Sequence, residues 1–193
     1  MPSRGLRIRV LGVVLLVSLL SLTFNCGSGP ADSAANADAQ GETGTPEFAI
    51  GVAKGDPAPD FALSDLAGGD LQLSELSGKV KLIDFWATWC APCIEEIPML
   101  VELDQLYRES GLEIIAISDE SREVLEKFRA SHDIAYRFLH DDQDVSAEYL
   151  VLGLPYAILV DEQGTIVDTY LGPKPRRILE RRIRELLELP PAT

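Results

Sequence analysis

Two cysteines separated by two residues lie where a predicted strand meets a predicted helix. The preceding segment, 80–86, is a short apolar run rich in β-branched and aromatic residues, as in a buried strand. After Cys93, Ile94 and Ile97 begin a pattern with helical spacing. Cys90 is therefore predicted near a helix N-terminus, where free N–H groups and the helix dipole favour a thiolate. Because a thiolate attacks disulfides and the second thiol can close a ring, the sequence predicts a thiol–disulfide exchange site.

The cysteine count bears on how these thiols pair. The sequence has three cysteines, which is an awkward number for an exported protein. If Cys26 carries a lipid, one pair remains, Cys90 and Cys93. A purely structural bridge of this kind would close a very small loop and would constrain the unfolded chain little. The pair is therefore predicted to be a redox disulfide.

Asp84 is the acidic residue of the apolar strand before the cysteines. A buried carboxylate is destabilised, so burial would raise its pKa. In that position Asp84 is a candidate to take a proton from Cys93, through water, as the second thiol attacks. The alternative is that Asp84 faces solvent at a strand end and has no such role.

The surroundings of the motif resemble the thioredoxin family, and within it the membrane-tethered TlpA and ResA-like branch. The resemblance runs from about residue 55 to residue 187 and rests on Asp84, Trp86, Trp89, Pro92, Pro98, Glu96 and the segment Gly153-Leu154-Pro155. It implies an α/β thioredoxin fold, in which helices flank a central mixed sheet, with an N-terminal β-hairpin extension.

The resemblance also implies roles for individual residues. Cys90, nearer the helix end, is the candidate nucleophile, and Cys93 is the resolving thiol. Glu96, one helical turn beyond Cys93, matches the extra active-site acid of the ResA-like branch, although its neighbour Glu95 shows that acids here can be plain surface residues. No lysine on the segment 112–118 is available to pair with Asp84, which favours the ResA-like arrangement over that of thioredoxin itself.

A substrate groove is implied by the segment before the strand 156–160. Pro155 matches the cis-proline that faces the cysteines in the family, an arrangement that X–Pro bonds allow. It would leave the backbone of Leu154 free to bind an extended substrate, and Trp89 is predicted to line the same groove. Tyr156 stands where the family pattern has threonine.

The order of elements is predicted from periodicity and turn residues. A hairpin turns at Gly68-Gly69, and Asp144 is expected to cap a brief helix that ends near Leu150. The remaining predicted elements are strands at 80–86, 112–118, 156–160 and 165–170, a short segment around Phe138, and helices at 91–109, 121–131 and the C-terminus. This order predicts a parallel core with an antiparallel hairpin at its edge.

The N-terminal 50 residues are predicted to lie outside the folded domain. Residues 1–25 combine three arginines with the apolar run 10–24, as in an export signal. Cys26 follows like the lipidated cysteine of a bacterial lipoprotein, but Asn25 departs from that pattern, so an uncleaved signal anchor is the alternative. Residues 26–50 are polar and predicted to form a flexible linker, and 51–193 the thioredoxin-like domain.

The charge of the chain excludes one class of function. The formal net charge is −14, and without residues 1–25 it becomes −17, from 14 basic and 31 acidic residues. Nucleic-acid binding needs a basic surface and is therefore not expected. The C-terminal basic cluster is predicted to be the solvated face of a helix packed on the sheet, and its members are Lys174, Arg176, Arg177, Arg181, Arg182 and Arg184.

These observations predict a membrane-tethered thiol–disulfide oxidoreductase of the cell envelope that needs no cofactor beyond its own disulfide. The resemblance implies exported clients such as apocytochrome c, and a membrane thiol reductant of the DsbD/CcdA type. One alternative is a peroxiredoxin-like thiol peroxidase, which shares the hairpin extension. Another is a Sco-type metal chaperone, although His132 and His140 are not near the turn 153–155. No metal site is predicted.

Overall fold

The computed structural model describes residues 52–190, which form one seven-stranded sheet with helices on both faces. The strands are β1 (Ala62–Asp65), β2 (Asp70–Gln72), β3 (Val80–Phe85), β4 (Leu112–Ser118), β5 (Arg137–His140), β6 (Tyr156–Val160) and β7 (Ile166–Leu171). The helices are α1 (Ala91–Tyr107), α2 (Arg122–His132), α3 (Val145–Glu148) and α4 (Arg176–Leu186).

The strand order is β2-β1-β5-β4-β3-β6-β7. Strands β3, β4 and β5 are parallel, whereas β6 and β7 add an antiparallel edge and β1 and β2 form the hairpin at the other edge. This arrangement confirms the predicted mixed sheet, its parallel core and its N-terminal hairpin extension.

Strand β3 lies at the centre of the sheet, and all six of its residues are buried. Successive side chains point to opposite faces of a strand. Leu82 accordingly packs into one core cluster, with Leu100 of α1, and Ile83 into the other, with Val145 of α3. By the same alternation Asp84 lies on the Leu82 side, which is the face covered by α1.

Helices α1 and α4 bury apolar residues in the same cluster. Ile97 and Leu103 come from α1, and Leu179 and Ile183 come from α4. The spacing of three to four residues places each pair on one side of its helix. The start of α4 is thereby brought to the face of the sheet that carries the cysteines.

Asp144 is the N-cap residue of α3, as predicted, but another acid provides the side-chain hydrogen bonds to the start of the helix. Asp144 takes the left-handed conformation with φ 61° and makes no capping hydrogen bond through its side chain. The Asp141 carboxylate instead accepts hydrogen bonds from the N–H groups of Val145 and Ser146, each at 2.9 Å. Asp141 reaches these N–H groups because it lies just after β5, at the point where the chain turns into α3.

Three predictions fall outside the described residues: the export signal 1–25, Cys26 as a lipidation site, and the linker 26–50. Within residues 52–190, no helix has both the length and the apolar character needed to cross a membrane.

Candidate active site

Cys90 and Cys93 form a disulfide at the start of α1, with their Cα atoms 5.3 Å apart. Cys90 is the residue that precedes the first turn, and its carbonyl accepts a hydrogen bond from the N–H of Ile94 at 3.1 Å. Pro92 lies in the first turn, where a missing N–H costs no hydrogen bond. The predicted position of the pair, where a strand meets a helix, is confirmed.

Both cysteines are buried in the disulfide form. Their exposed fractions are 5% for Cys90 and 3% for Cys93, a difference too small to distinguish nucleophile from resolving thiol. The position of Cys90 at the helix N-terminus, where an anion is stabilised, supports the predicted assignment. The roles themselves stay predictions.

Glu120 holds the loop that precedes Cys90. Its carboxylate accepts hydrogen bonds from the backbone N–H and the hydroxyl of Thr88, both at 2.6 Å. The N–H of Glu120 in turn donates to the Ser118 hydroxyl at the end of β4. The sequence analysis did not identify Glu120, because an acid in a loop carries no periodic signal for a partner 32 residues away.

Asp84 is buried inside the protein, on the face of the sheet that packs against α1. Its partners in register are Ala116 on β4 and Ala157 on β6, both small and apolar. The alternative of a solvent-facing carboxylate at a strand end is therefore wrong. Whether Asp84 moves a proton stays a prediction.

Lys174 joins Asp84 to Glu96, and these three residues form the buried charge cluster. Its ammonium nitrogen lies 2.9 Å from Asp84 Oδ1 and 2.7 Å from Glu96 Oε2. The backbone N–H of Lys174 also donates to the Glu96 carboxylate. The Lys174 side chain has no exposed surface. Glu96 is therefore an internal residue of the site rather than a plain surface acid.

The prediction that Lys174 belongs to a solvated helix face is wrong. Helix α4 begins at Arg176, so Lys174 lies in the turn after β7 and points inward. The segment 112–118 contains no lysine, but Asp84 has a lysine partner that comes from this turn. The arginines of α4 remain exposed or half-buried, as predicted.

The charges of the cluster do not balance when every group is ionised. Burial raises the pKa of Asp84, Glu96 raises it further, and Lys174 opposes the rise without cancelling it. Burial lowers the pKa of Lys174, but Asp84 and Glu96 outweigh it and the net direction is upward. One cation with two carboxyl groups carries one excess negative charge when all three groups are ionised, and burial disfavours that charge.

A groove of about 250 Å³ runs beside the loop that carries the predicted substrate residues. Trp89, Gly153 and Leu154 line it. Trp89 is 72% exposed, and the peptide bond between Leu154 and Pro155 is cis, as predicted. Within residues 52–190 the backbone of Leu154 makes no hydrogen bond. The structure thus brings together the residues predicted to receive a client.

The histidines occupy other parts of the fold. His132 ends α2 and stacks on Phe128, and His140 is the last residue of β5. Among residues 52–190 there is no group of three or more His, Cys, Asp or Glu side chains arranged to hold a metal ion.

Comparison with known proteins agrees with this site. Residues 54–169 match the model of the AhpC/TSA family. The chain is 33% identical over 138 residues to the thioredoxin-like protein YneN of Bacillus subtilis, covering 69% of this chain and 81% of that protein. It is 36% identical over 137 residues to the thiol-disulfide oxidoreductase ResA of Geobacillus kaustophilus, covering 70% and 79%.

Solved structures show the same likeness. A candidate thiol:disulfide interchange protein DsbE from Chlorobium tepidum superposes with a TM-score of 0.67 at 31% identity, covering 70% of this chain and 99% of that one. The thioredoxin domain of a thiol-disulfide oxidoreductase from Bacteroides vulgatus gives a TM-score of 0.59 at 30% identity, covering 63% and 90%.

The fold and the cysteine site define a redox protein of the thioredoxin fold, and the chain belongs to the AhpC/TSA family. Several of its relatives are thiol-disulfide oxidoreductases named ResA. The chain is accordingly a thiol–disulfide oxidoreductase of the ResA type, with Cys90 and Cys93 as its disulfide.

Proposed function

We propose that this enzyme works as a reductant, transferring two electrons from the Cys90/Cys93 dithiol to disulfides of exported proteins. The observation that carries this direction is the buried charge cluster, in which two carboxyl groups outnumber one ammonium. An excess of negative charge near the cysteines opposes thiolate formation. A dithiol whose thiolates are not stabilised is a stronger reductant than one whose reduced form is stabilised.

The reaction proceeds in two exchanges. The Cys90 thiolate attacks one sulfur of the client disulfide and forms a mixed disulfide, and the client's other sulfur leaves as a thiolate and takes up a proton. Cys93 then loses its proton and attacks Cys90 Sγ, which closes the Cys90–Cys93 disulfide and releases the second client thiol. The client gains two electrons, and the enzyme loses two.

Asp84 is proposed to accept the Cys93 proton, through water, during the second exchange. Its burial on the α1 side of β3 and the upward direction of its pKa suit a base that works near neutrality. Glu96 and Lys174 are its charged neighbours.

The client is proposed to bind as an extended segment along Leu154, with its cysteine facing Cys90. The free backbone of Leu154 and the exposed ring of Trp89 support this placement. Apocytochrome c, whose haem-binding cysteines must be reduced before ligation, is a client of suitable chemistry. A membrane thiol reductant of the DsbD/CcdA type would return the electrons.

The proposed site of action is the cell envelope, with the domain facing outward from a membrane. The arginines and the apolar run of residues 1–25 support export, and Cys26 is the proposed lipidation site. The relatives named ResA support an enzyme of this kind.

The test is the equilibrium potential of the Cys90/Cys93 pair in glutathione and dithiothreitol buffers. We expect a value near that of thioredoxin, about −270 mV, and not near that of DsbA, about −120 mV. A value near the latter would contradict the proposed direction and make the enzyme a disulfide donor.

Two further assays address the alternative functions. A thiol peroxidase would consume hydrogen peroxide at the expense of its cysteines faster than it reduces a disulfide peptide, and we expect the opposite order. A metal chaperone would bind copper or zinc tightly and stoichiometrically when reduced. Either result would replace the proposed function.

A further inference from the structure

The turn between β7 and α4 places one lysine at the centre of the site. Lys174 contacts Asp84 and Glu96 through its ammonium group, and Glu96 a second time through its backbone N–H. Just before it, Gly172 donates its N–H to the Pro155 carbonyl at 2.8 Å. The turn is therefore fixed both to the charged residues and to the loop proposed to bind clients.

Few charged or titratable groups face Asp84. From α1 comes Glu96, from the segment before β5 comes Tyr136, and from the turn after β7 comes Lys174. The register neighbours on β4 and β6 are alanines. Among residues 52–190, Lys174 is thus the cation in contact with Asp84.

Because Lys174 is buried, its charge should affect the ionisation of Asp84 more strongly than the charge of a surface lysine would. Charges interact more strongly where water is excluded, and the Lys174 side chain has no exposed surface. Arg176, two residues on, provides the contrast. It also bridges the start of α4 to α1, through Glu102, but both side chains are largely exposed, and such pairs contribute little.

We propose that Lys174 is a positioning residue of the exchange reaction, which fixes Glu96 and allows Asp84 to lose and regain a proton in the range where Cys93 reacts. This inference rests on the proton-accepting role of Asp84 in the proposed function. The inference adds Lys174, in the turn after β7, as the residue that supports proton acceptance by Asp84.

The expected effect follows from charge balance. With Lys174 present, one carboxyl can be ionised in a neutral cluster, and the second can ionise at the cost of a single excess charge. Without Lys174, the first ionisation already leaves an unpaired buried charge, which burial strongly disfavours. Asp84 would then become a base only at higher pH, so the attack of Cys93 would move in the alkaline direction.

The test is the pH dependence of the second exchange in Lys174→Met. A mixed disulfide with a fluorescent thiol is formed on Cys90, and its release by Cys93 is followed between pH 5 and pH 10. We expect the midpoint to rise by about one pH unit or more, and the rate at pH 7 to fall about tenfold. The matched control, Arg176→Met, should keep the midpoint of the wild-type protein.

Two comparisons separate the possible failures. If Asp84→Asn leaves the profile of the wild-type protein unchanged, the proposed role of Asp84 and this inference both fail. If Asp84→Asn removes the dependence but a folded Lys174→Met variant keeps the wild-type midpoint, only the role of Lys174 is overturned.

A folding control keeps the test decisive. Removing one partner of a buried ion pair destabilises a protein strongly. If Lys174→Met does not fold, the double variant Lys174→Met/Glu96→Gln removes one cation and one anion together and leaves Asp84 in an uncharged setting. The alkaline shift should persist in this variant, because Lys174 lowers the pKa of Asp84 more than Glu96 raises it. An unshifted midpoint there would overturn the proposal.

Discussion

The assignment of Cys90 as the nucleophile and Cys93 as the resolving thiol rests on their positions at the start of α1, since burial does not distinguish them in the disulfide form. Cys90 precedes the first turn of α1, whereas Cys93 lies within it. A thiolate at the first position is closest to the free N–H groups of the helix. The assignment therefore predicts different behaviour when each sulfur is removed.

Cys93→Ser should accumulate mixed disulfides between Cys90 and its clients, because the second exchange can no longer occur. Cys90→Ser should accumulate none. Non-reducing gels of the purified variants, incubated with a peptide that contains a disulfide, measure both outcomes. Equal trapping by the two variants would contradict the assignment of roles.

The raised pKa of Asp84 predicts how stability changes with pH. Because the folded state holds this proton more tightly than the unfolded state, the contribution of Asp84 is full below the unfolded pKa of about 3.9. It is lost as pH rises through the higher folded pKa. The free energy of unfolding of the wild-type protein, relative to that of Asp84→Asn, should therefore fall as pH rises from 4.

Urea unfolding of the oxidised proteins at pH 4, 6 and 8 measures this difference. Asp84→Asn is the control for the wild-type protein at each pH. Its amide does not titrate, and the two proteins share every other acidic residue. A difference that stays constant from pH 4 to pH 8 would contradict the linkage.

At the scale of elements, the sequence predicts the strands, helices and turns that leave a regular pattern of residue types along the chain. The strands at 112–118 and 156–160 are confirmed at their bounds, because these segments are mainly apolar and are flanked by polar or turn residues. The position of Asp84 follows from the central strand it occupies. The hairpin at Gly68-Gly69 is confirmed because both residues have positive φ, which glycine adopts freely.

The contacts that the sequence did not predict join distant loops. Lys174 lies between two prolines in a turn, and its partners are 90 and 78 residues away. The Glu120 contact with Thr88 and the cap provided by Asp141 are of the same kind. Such contacts depend on how loop ends meet in three dimensions, and no period in the sequence encodes that.

Helix α4 should be essential to the site, because its packing holds the turn that carries Lys174. Leu179 is fully buried in the cluster that includes both cysteines, whereas the adjacent Ile178 is 37% exposed. Leu179→Ala should lower the free energy of unfolding by about 2–5 kcal/mol through lost contacts and a cavity. Urea unfolding measures this loss, and Ile178→Ala is the matched control. Equal losses in the two variants would contradict the packing of α4.

At the scale of the whole molecule, the folded domain contains the cysteine site, whereas the segment before it is proposed to determine where the protein is located. Residues 52–190 contain both core clusters and the contacts of Lys174 with Asp84 and Glu96. The segment 26–50 has too few apolar residues to bury a core of its own. Reductase activity and membrane attachment should therefore be separable by truncation.

A protein that begins near Phe48 should reduce a disulfide peptide as fast as the full-length protein does, because the preceding segment adds nothing to the site. Insulin reduction by the two proteins, at equal concentration in detergent, measures this. In cells the proposed tether should matter, since it would concentrate the domain near a membrane-bound electron donor and clients. A slower truncated protein in vitro would show that the segment contributes to the site.

Cys26→Ser decides the nature of the tether. If Cys26 carries the lipid, this variant should lose metabolic fatty-acid labelling and should be cleaved elsewhere or not at all, while its reductase activity in vitro is unchanged. Cys26 is a suitable acceptor because it directly follows the apolar run 10–24, although Asn25 departs from the usual small residue before such a cysteine. Mass spectrometry of the wild-type protein tests for the outcome that would contradict lipidation. Residues 1–25 retained intact, without lipid on Cys26, would identify the segment as a signal anchor.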